Sequence, residues 1–167
     1  MTLMRDRQTS VQTPQHTSFV IYSVAGVWFG VPTVMVREVY APVPSIAPVP
    51  HAPPGVIGLA NLRSQLFLVI SARQMHRDKN NSSHGEDSLA AGPMSRLILF
   101  KSNVAENCGL LVEAVGDIVN LAAVDVRPLA EDVNHSHAFV VGVGKLKDIV
   151  ITLVDPRRLI ESLGASK

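Results

Sequence analysis

The chain has little of what reactive sites and electrostatic binders are made from. Cys108 is its only cysteine, so no internal disulfide can form, which fits a reducing compartment. Charged residues make up 17% of the chain and aromatic residues 5%. Fifteen basic against fourteen acidic residues leave a formal net charge of +1. That balance supplies no broad field for nucleic acid or an anionic membrane. No apolar run approaches the ~20 residues that a membrane-spanning helix needs. Met1–Ser18 carries Arg5, Asp6 and Arg7 and lacks the apolar core of a signal peptide. The expectation is a soluble, cytoplasmic protein.

Recognisable catalytic patterns are missing too. Of the six histidines, only His135 and His137 are close in sequence. An extended HxH pair would place both rings on one side, but no third ligand follows at a metal-site spacing, so a solvated loop is the simpler reading. Cys108 sits in an apolar stretch beside Gly109, which suits a buried, inert thiol. Gly142-Val143-Gly144-Lys145 lacks the Ser/Thr and the strand–loop–helix order of a phosphate-binding loop. Nothing marks Glu38 and Asp117 as a general acid and base. No metal, cofactor or catalytic residue is expected, and a binding module is favoured over an enzyme.

What the chain does have is apolar residues, 47% of 167, enough to bury a sizeable core. Its organising stretch is Gly58–Arg73: a glycine turn, a polar Asn61-Leu62-Arg63 step, the run Leu66–Ile70, then Ser71 and Arg73. Such a run reads as a strand buried on both faces; periodicity alone does not separate it from a buried helix, but propensity favours the strand. The stretch occurs twice. Eighty-four positions on, Gly58 falls on Gly142, Arg63 on Lys147, Val69 on Leu153 and Arg73 on Arg157. At a shift of seventy-nine, Gly30 meets Gly109, Val36 meets Val115, Glu38 meets Asp117 and Val39 meets Ile118. Two matches in one order indicate duplication of a unit of about eighty residues.

Local signals fill in the rest. Phe19–Val24, Ala25-Gly26 and Val27–Val31 read as a hairpin. In Thr33–Tyr40 the spacing of Val36, Val39 and Tyr40 suits a short helix. Residues 42–54 hold six of the eleven prolines and form a stiff extended connection with edge-strand character around Val43–Ile46; a proline-rich ligand for a small recognition domain is the other use of such a segment. Ser71 can cap a helix through Arg77. Strands are expected at Arg96–Lys101, Cys108–Val112, Phe139–Val143 and Asp148–Val154, a short turn over Ala122–Pro128 and a polar loop over Ala130–His137. Asp155-Pro156 opens a terminal helix to about Leu163, with Gly164 as its stop. Domain limits follow: a disordered tail over 1–17, a first unit over 18–77, a linker over 78–95 and a second unit over 96–163. Short strands, few helices and a duplication point to an all-β fold of two small barrels.

Val36-Arg37-Glu38-Val39, the proline-bearing connection, Gly58–Arg63 and their second-half counterparts together resemble the CheW family of chemotaxis coupling proteins, over roughly residues 18–163. The resemblance implies two five-stranded SH3-like barrels packed on a shared core. It implies an adaptor without catalysis, bridging a CheA-type histidine kinase, through the kinase's CheW-like regulatory domain, to the cytoplasmic tip of methyl-accepting receptors. It places Val36, Glu38, Gly58 and Arg63 at or near partner contacts. Val36 could instead serve packing and Gly58 a turn. Asn61 and Ser64, which differ from Lys145 and Asp148 in the second copy, are where the first barrel can be specialised. Three residues depart from the family pattern: Ser64 for Gly, Leu68 for Pro and Ser71 for Asp. They imply a divergent paralogue, such as one serving pilus-based motility or another chemosensory array, and Leu68 is expected to add apolar surface at a contact edge. The alternative is a small barrel binding nucleic acid.

Overall fold

Apolar residues and tight turns produce twelve strands among the described residues. A computed structural model of the chain describes residues 15–77, 91–130 and 137–164. Strand β1 (His16–Val24) turns at Ala25-Gly26 into β2 (Val27–Pro32). Both turn residues have positive φ, 49° and 78°, the geometry whose twist matches flanking antiparallel strands. A 3-10 turn at Thr33–Met35 leads into β3 (Val36–Tyr40). The proline-rich stretch contributes only β4 (Ile46–Ala47). Strands β5 (Val56–Leu62) and β6 (Gln65–Ser71) form the next hairpin, followed by α1 (Ala72–Met75). Ser71 Oγ accepts from the Gln74 N–H at 3.3 Å, capping that turn. The second half supplies β7 (Arg96–Phe100), β8 (Cys108–Val112), β9 (Ala114–Ala122), β10 (Val126–Pro128), β11 (Val140–Leu146), β12 (Ile149–Val154) and α2 (Pro156–Gly164).

Several local expectations change. Val36–Tyr40 is a strand, not a helix, because pairing with β7 satisfies its backbone: Val39 lies opposite Ile98 and Tyr40 opposite Leu97. Each sheet has six strands rather than five. The extra strands, β4 and β10, are two and three residues long, too short to show a period. His16 and Thr17 belong to β1 rather than to a tail; residues 1–14, most of the 78–95 linker and the loop through His135 lie outside the described residues.

The sheets also cut across the sequential division into units 18–77 and 96–163. One sheet runs β10-β11-β12-β2-β1-β9 and the other β3-β7-β8-β6-β5-β4. Advancing every strand of one sheet by six gives the other. The copies have therefore traded hairpins: β1–β2 completes the second-half sheet and β7–β8 the first-half sheet. Two parallel pairs join the exchanged pieces, with Leu153 opposite Gly30 and Val69 opposite Gly109. These are the residues matched at the two sequence shifts, so two repeats of different spacing meet in one contact. The β5–β6 and β11–β12 hairpins each carry an irregularity at the same place, Val56/Gly58 and Val140/Gly142.

Three apolar cores result. Ile57, Leu62, Phe67 and Leu97 fill one sheet's interior; Phe19, Val119, Leu121 and Ile151 fill the other's. The largest cluster draws on both sheets, including Tyr22, Phe29, Ile70, Ile98, Phe100, Leu110 and Phe139, with Leu159 and Leu163 of α2. It is the shared core expected between two packed barrels. Leu68 is half-buried, packs against this cluster and donates its N–H to Asn107 O at 2.8 Å. Among the described residues no helix is long and apolar enough to cross a membrane.

Candidate interaction surface

The β5–β6 turn consists of Arg63 and Ser64, with φ of 50° and 65°. Two successive residues in the left-handed region make the tight hairpin that glycine usually serves. The conformation is held by the ladder on either side, where Leu62 lies opposite Gln65 and Asn61 opposite Leu66. It throws the Arg63 side chain out of the sheet toward β3.

There Arg63 meets Glu38. Its Nη1 donates to Oε1 at 3.3 Å and its Nη2 to Oε2 at 3.2 Å, a two-pronged contact suited to the planar guanidinium. Tyr40, two residues along the same strand, lies beneath the guanidinium at 5.7 Å from its ring centroid. Arg37 Nε stands 3.8 Å from Glu38 Oε1, and its guanidinium lies 5.8 Å from the Phe67 ring. The side chain of Arg63 is 65% exposed and that of Glu38 28%. An exposed pair of this kind stabilises the fold by about 1 kcal/mol at most. Arginine has five N–H donors, so three of them are unused by Glu38.

Two of the six expected site residues are thus in direct contact. Asn61 and Ser64 are exposed on the same hairpin. The other two lie inside. Val36 is half-buried against the shared core. Gly58 is buried, with φ of 153°, and a Cβ there would sit 2.2 Å from Ala47 O; it lets β4 close on β5. Sequence reasoning missed Tyr40, because a helix reading of 33–40 hides the two-residue spacing that puts Glu38 and Tyr40 on one face. It also missed Leu66, 59% exposed within an apolar run.

The far barrel end is built from the equivalent residues with different chemistry. Lys147 opens the β11–β12 turn with φ of 52°, and Asp117 is exposed on β9. Among the described residues no ion pair joins them. Val27, Ile149 and Val150 are exposed there, and Val150 is the counterpart of Leu66. The Arg63 end carries an ion pair, whereas the far end exposes three large apolar side chains beside charges that no ion pair joins among the described residues.

A second charge contact ties the halves together. Glu113, between β8 and β9, accepts from Arg73 Nε at 2.7 Å and from the Ala25 N–H at 3.0 Å. It links α1 to the β1–β2 turn. Its acceptor role there is structural, since all three groups belong to this chain. Cys108 is buried, and burial pushes its thiol up to about 12, which removes the thiolate needed for reactivity.

The CheW-like domain family matches residues 18–164. The chemotaxis protein CheW of Rhizobium meliloti is 31% identical over 142 residues, covering 81% of this chain and 82% of that protein. The chemotaxis protein CheW of Klebsiella aerogenes is 26% identical over 147 residues, covering 86% and 81%. The crystal structure of the scaffolding protein TtCheW from Thermoanaerobacter tengcongensis is similar with a TM-score of 0.72 at 25% identity, covering 88% of this chain and 94% of that one.

Proposed function

The chain belongs to the CheW-like family, and from that premise we propose how it works as a chemotaxis-type coupling adaptor between a CheA-type histidine kinase and methyl-accepting receptors. Its work is binding, not catalysis. The observation that carries the reading is the family match over nearly all of the folded chain, 18–164. The finer assignment is ours: the Arg63 end of the first-half barrel engages the kinase's CheW-like regulatory domain, and the adaptor, cytoplasmic, is recruited with it to the receptor tips of a membrane array. Arg63 supports this because it is exposed, oriented by Glu38 and Tyr40, and retains donors for a partner carboxylate or carbonyl.

The test is a binding measurement with the CheA-type kinases and receptor tips of the same organism. Binding to at least one kinase is expected; binding to none of them overturns the reading. Arg63→Ala is expected to weaken kinase binding about tenfold or more, the scale of losing one charge-assisted contact, with the melting temperature nearly unchanged. A large drop in melting temperature would make Arg63 a structural residue instead.

A further inference from the structure

His76 stands where the two barrels meet, and its surroundings suit only its neutral form. It is the residue that ends α1, donating its backbone N–H to Ala72 O at 2.9 Å. Its ring stacks on Phe29 with centroids 3.8 Å apart and meets Phe139 edge-on at 5.3 Å. Nε2 is 2.9 Å from the Tyr22 hydroxyl. Nδ1 is buried and has no hydrogen-bond partner. Tyr22 and Phe29 lie on β1 and β2 and Phe139 immediately precedes β11 of the same sheet, whereas α1 continues from β6 of the other sheet. The imidazole is therefore a polar pin through the shared core.

We propose that this cluster is an acid-sensitive joint: uptake of one proton from solvent by His76 opens the contact between the two barrels while each barrel stays folded. Protonation in place would put hydrogens on both ring nitrogens. The Tyr22 oxygen can accept one of them; the Nδ1–H has no acceptor, and the charge is surrounded by aromatic carbon. Among the described residues, the titratable groups facing His76 are Tyr22 on β1 and His137 ahead of β11; Phe29 and Phe139 add none. Among the described residues no carboxylate bonds to the His76 ring. Arg73, on the same helix, is engaged by Glu113. Burial first, and the charge of His137 second, pull the His76 pKa from its ordinary 6.5 down to about 3.

The sign of the effect follows from linkage. Above pH 6.5 the ring is neutral whether the joint is closed or open, and opening does not depend on pH. Below 6.5 the open form takes up a proton that the closed form refuses, so opening is favoured about tenfold per pH unit. The dependence ends near pH 3, where the closed form titrates too.

Amide hydrogen exchange on the full chain tests this, with protection factors correcting for the intrinsic pH dependence of exchange. Two amides report on the joint: His76, bonded to Ala72 O, and Asp155, bonded to Phe139 O at 2.9 Å. Between pH 6.5 and pH 4.5 their protection is expected to fall about fiftyfold, while the amides of Phe67 and Ile151 inside the barrels hold theirs. In His76→Phe, which keeps a ring and removes the titration, the same two reporters are expected to be pH-independent. Should His76→Phe fail to fold for want of a partner for Tyr22, the double variant with Tyr22→Phe removes both polar groups together. An undiminished slope in the His76 variants overturns the proposal, as does a slope abolished by His137→Gln. So does a parallel loss of protection at the joint and inside the barrels, which would be ordinary acid unfolding.

Discussion

Ser64 holds a φ of 65° without being glycine. A left-handed conformation costs an L-residue on the order of 1 kcal/mol, and the β5–β6 ladder imposes it here. Ser64→Gly is therefore expected to stabilise the protein by about 0.5 kcal/mol at most, after allowing for the larger unfolded-state entropy of glycine. A rise in the urea midpoint at constant slope would show it; a fall would mean that the serine hydroxyl stabilises the turn in a way its exposure does not suggest. The contrast with Arg63 is instructive. Both residues sit in one turn, yet Arg63 spends its side chain on Glu38 and Tyr40, and Ser64 has only its backbone at stake. The pairing of Arg63 with Glu38 was not legible, because nothing in either local sequence names a partner twenty-five residues away. That Arg63 closes a polar step ahead of an apolar run was.

Gly58 has a structural task inside its hairpin. It is a fixed point of the repeat, with Gly142 as its counterpart, yet both glycines serve the hairpin. Each lies at the irregularity of its ladder, and a Cβ at Gly142 would come 2.8 Å from Arg127 O. Gly58→Ala is expected to destabilise by about 2–4 kcal/mol, combining a backbone clash with an unfavourable φ, as read from denaturant unfolding. If the variant kept wild-type stability and lost kinase binding, Gly58 would be a contact after all. The strand β3 carries the opposite lesson. Val36, Val39 and Tyr40 fit a helical spacing as well as a strand over so short a window, and only β7 alongside decides between them. Ser71 and Asp155, by contrast, announced α1 and α2 correctly, because a cap acts on backbone groups two or three residues away.

At the scale of the whole molecule, the exchange of hairpins makes the two halves interdependent. A fragment covering 18–77 would lack β7 and β8, which stand between β3 and β6, and one covering 96–163 would lack β1 and β2 from between β9 and β12. Neither fragment is expected to unfold cooperatively when made alone, whereas mixing them should restore a folded complex, visible as recovered near-ultraviolet dichroism and a single thermal transition. Independent folding of either fragment would contradict the pairing. The exchange also places the shared core, with Tyr22, Phe29 and His76, under contributions from both sheets, so relative barrel position and core packing change together.

The sequence by itself determined the strands with clear alternation, the turns marked by glycine and charge, the helix caps and the duplication. Those are properties of neighbouring residues or of similarity between copies, and both survive in a linear string. Tertiary structure alone decided which copy each hairpin joins, that Val36–Tyr40 is extended, that Gly58 is internal, and that Arg63 rests on Glu38 and Tyr40. The reason is physical. A strand's backbone groups are satisfied by another strand, and its side chains are buried by another element. The partner's identity is a property of the closed fold, not of the segment that needs it.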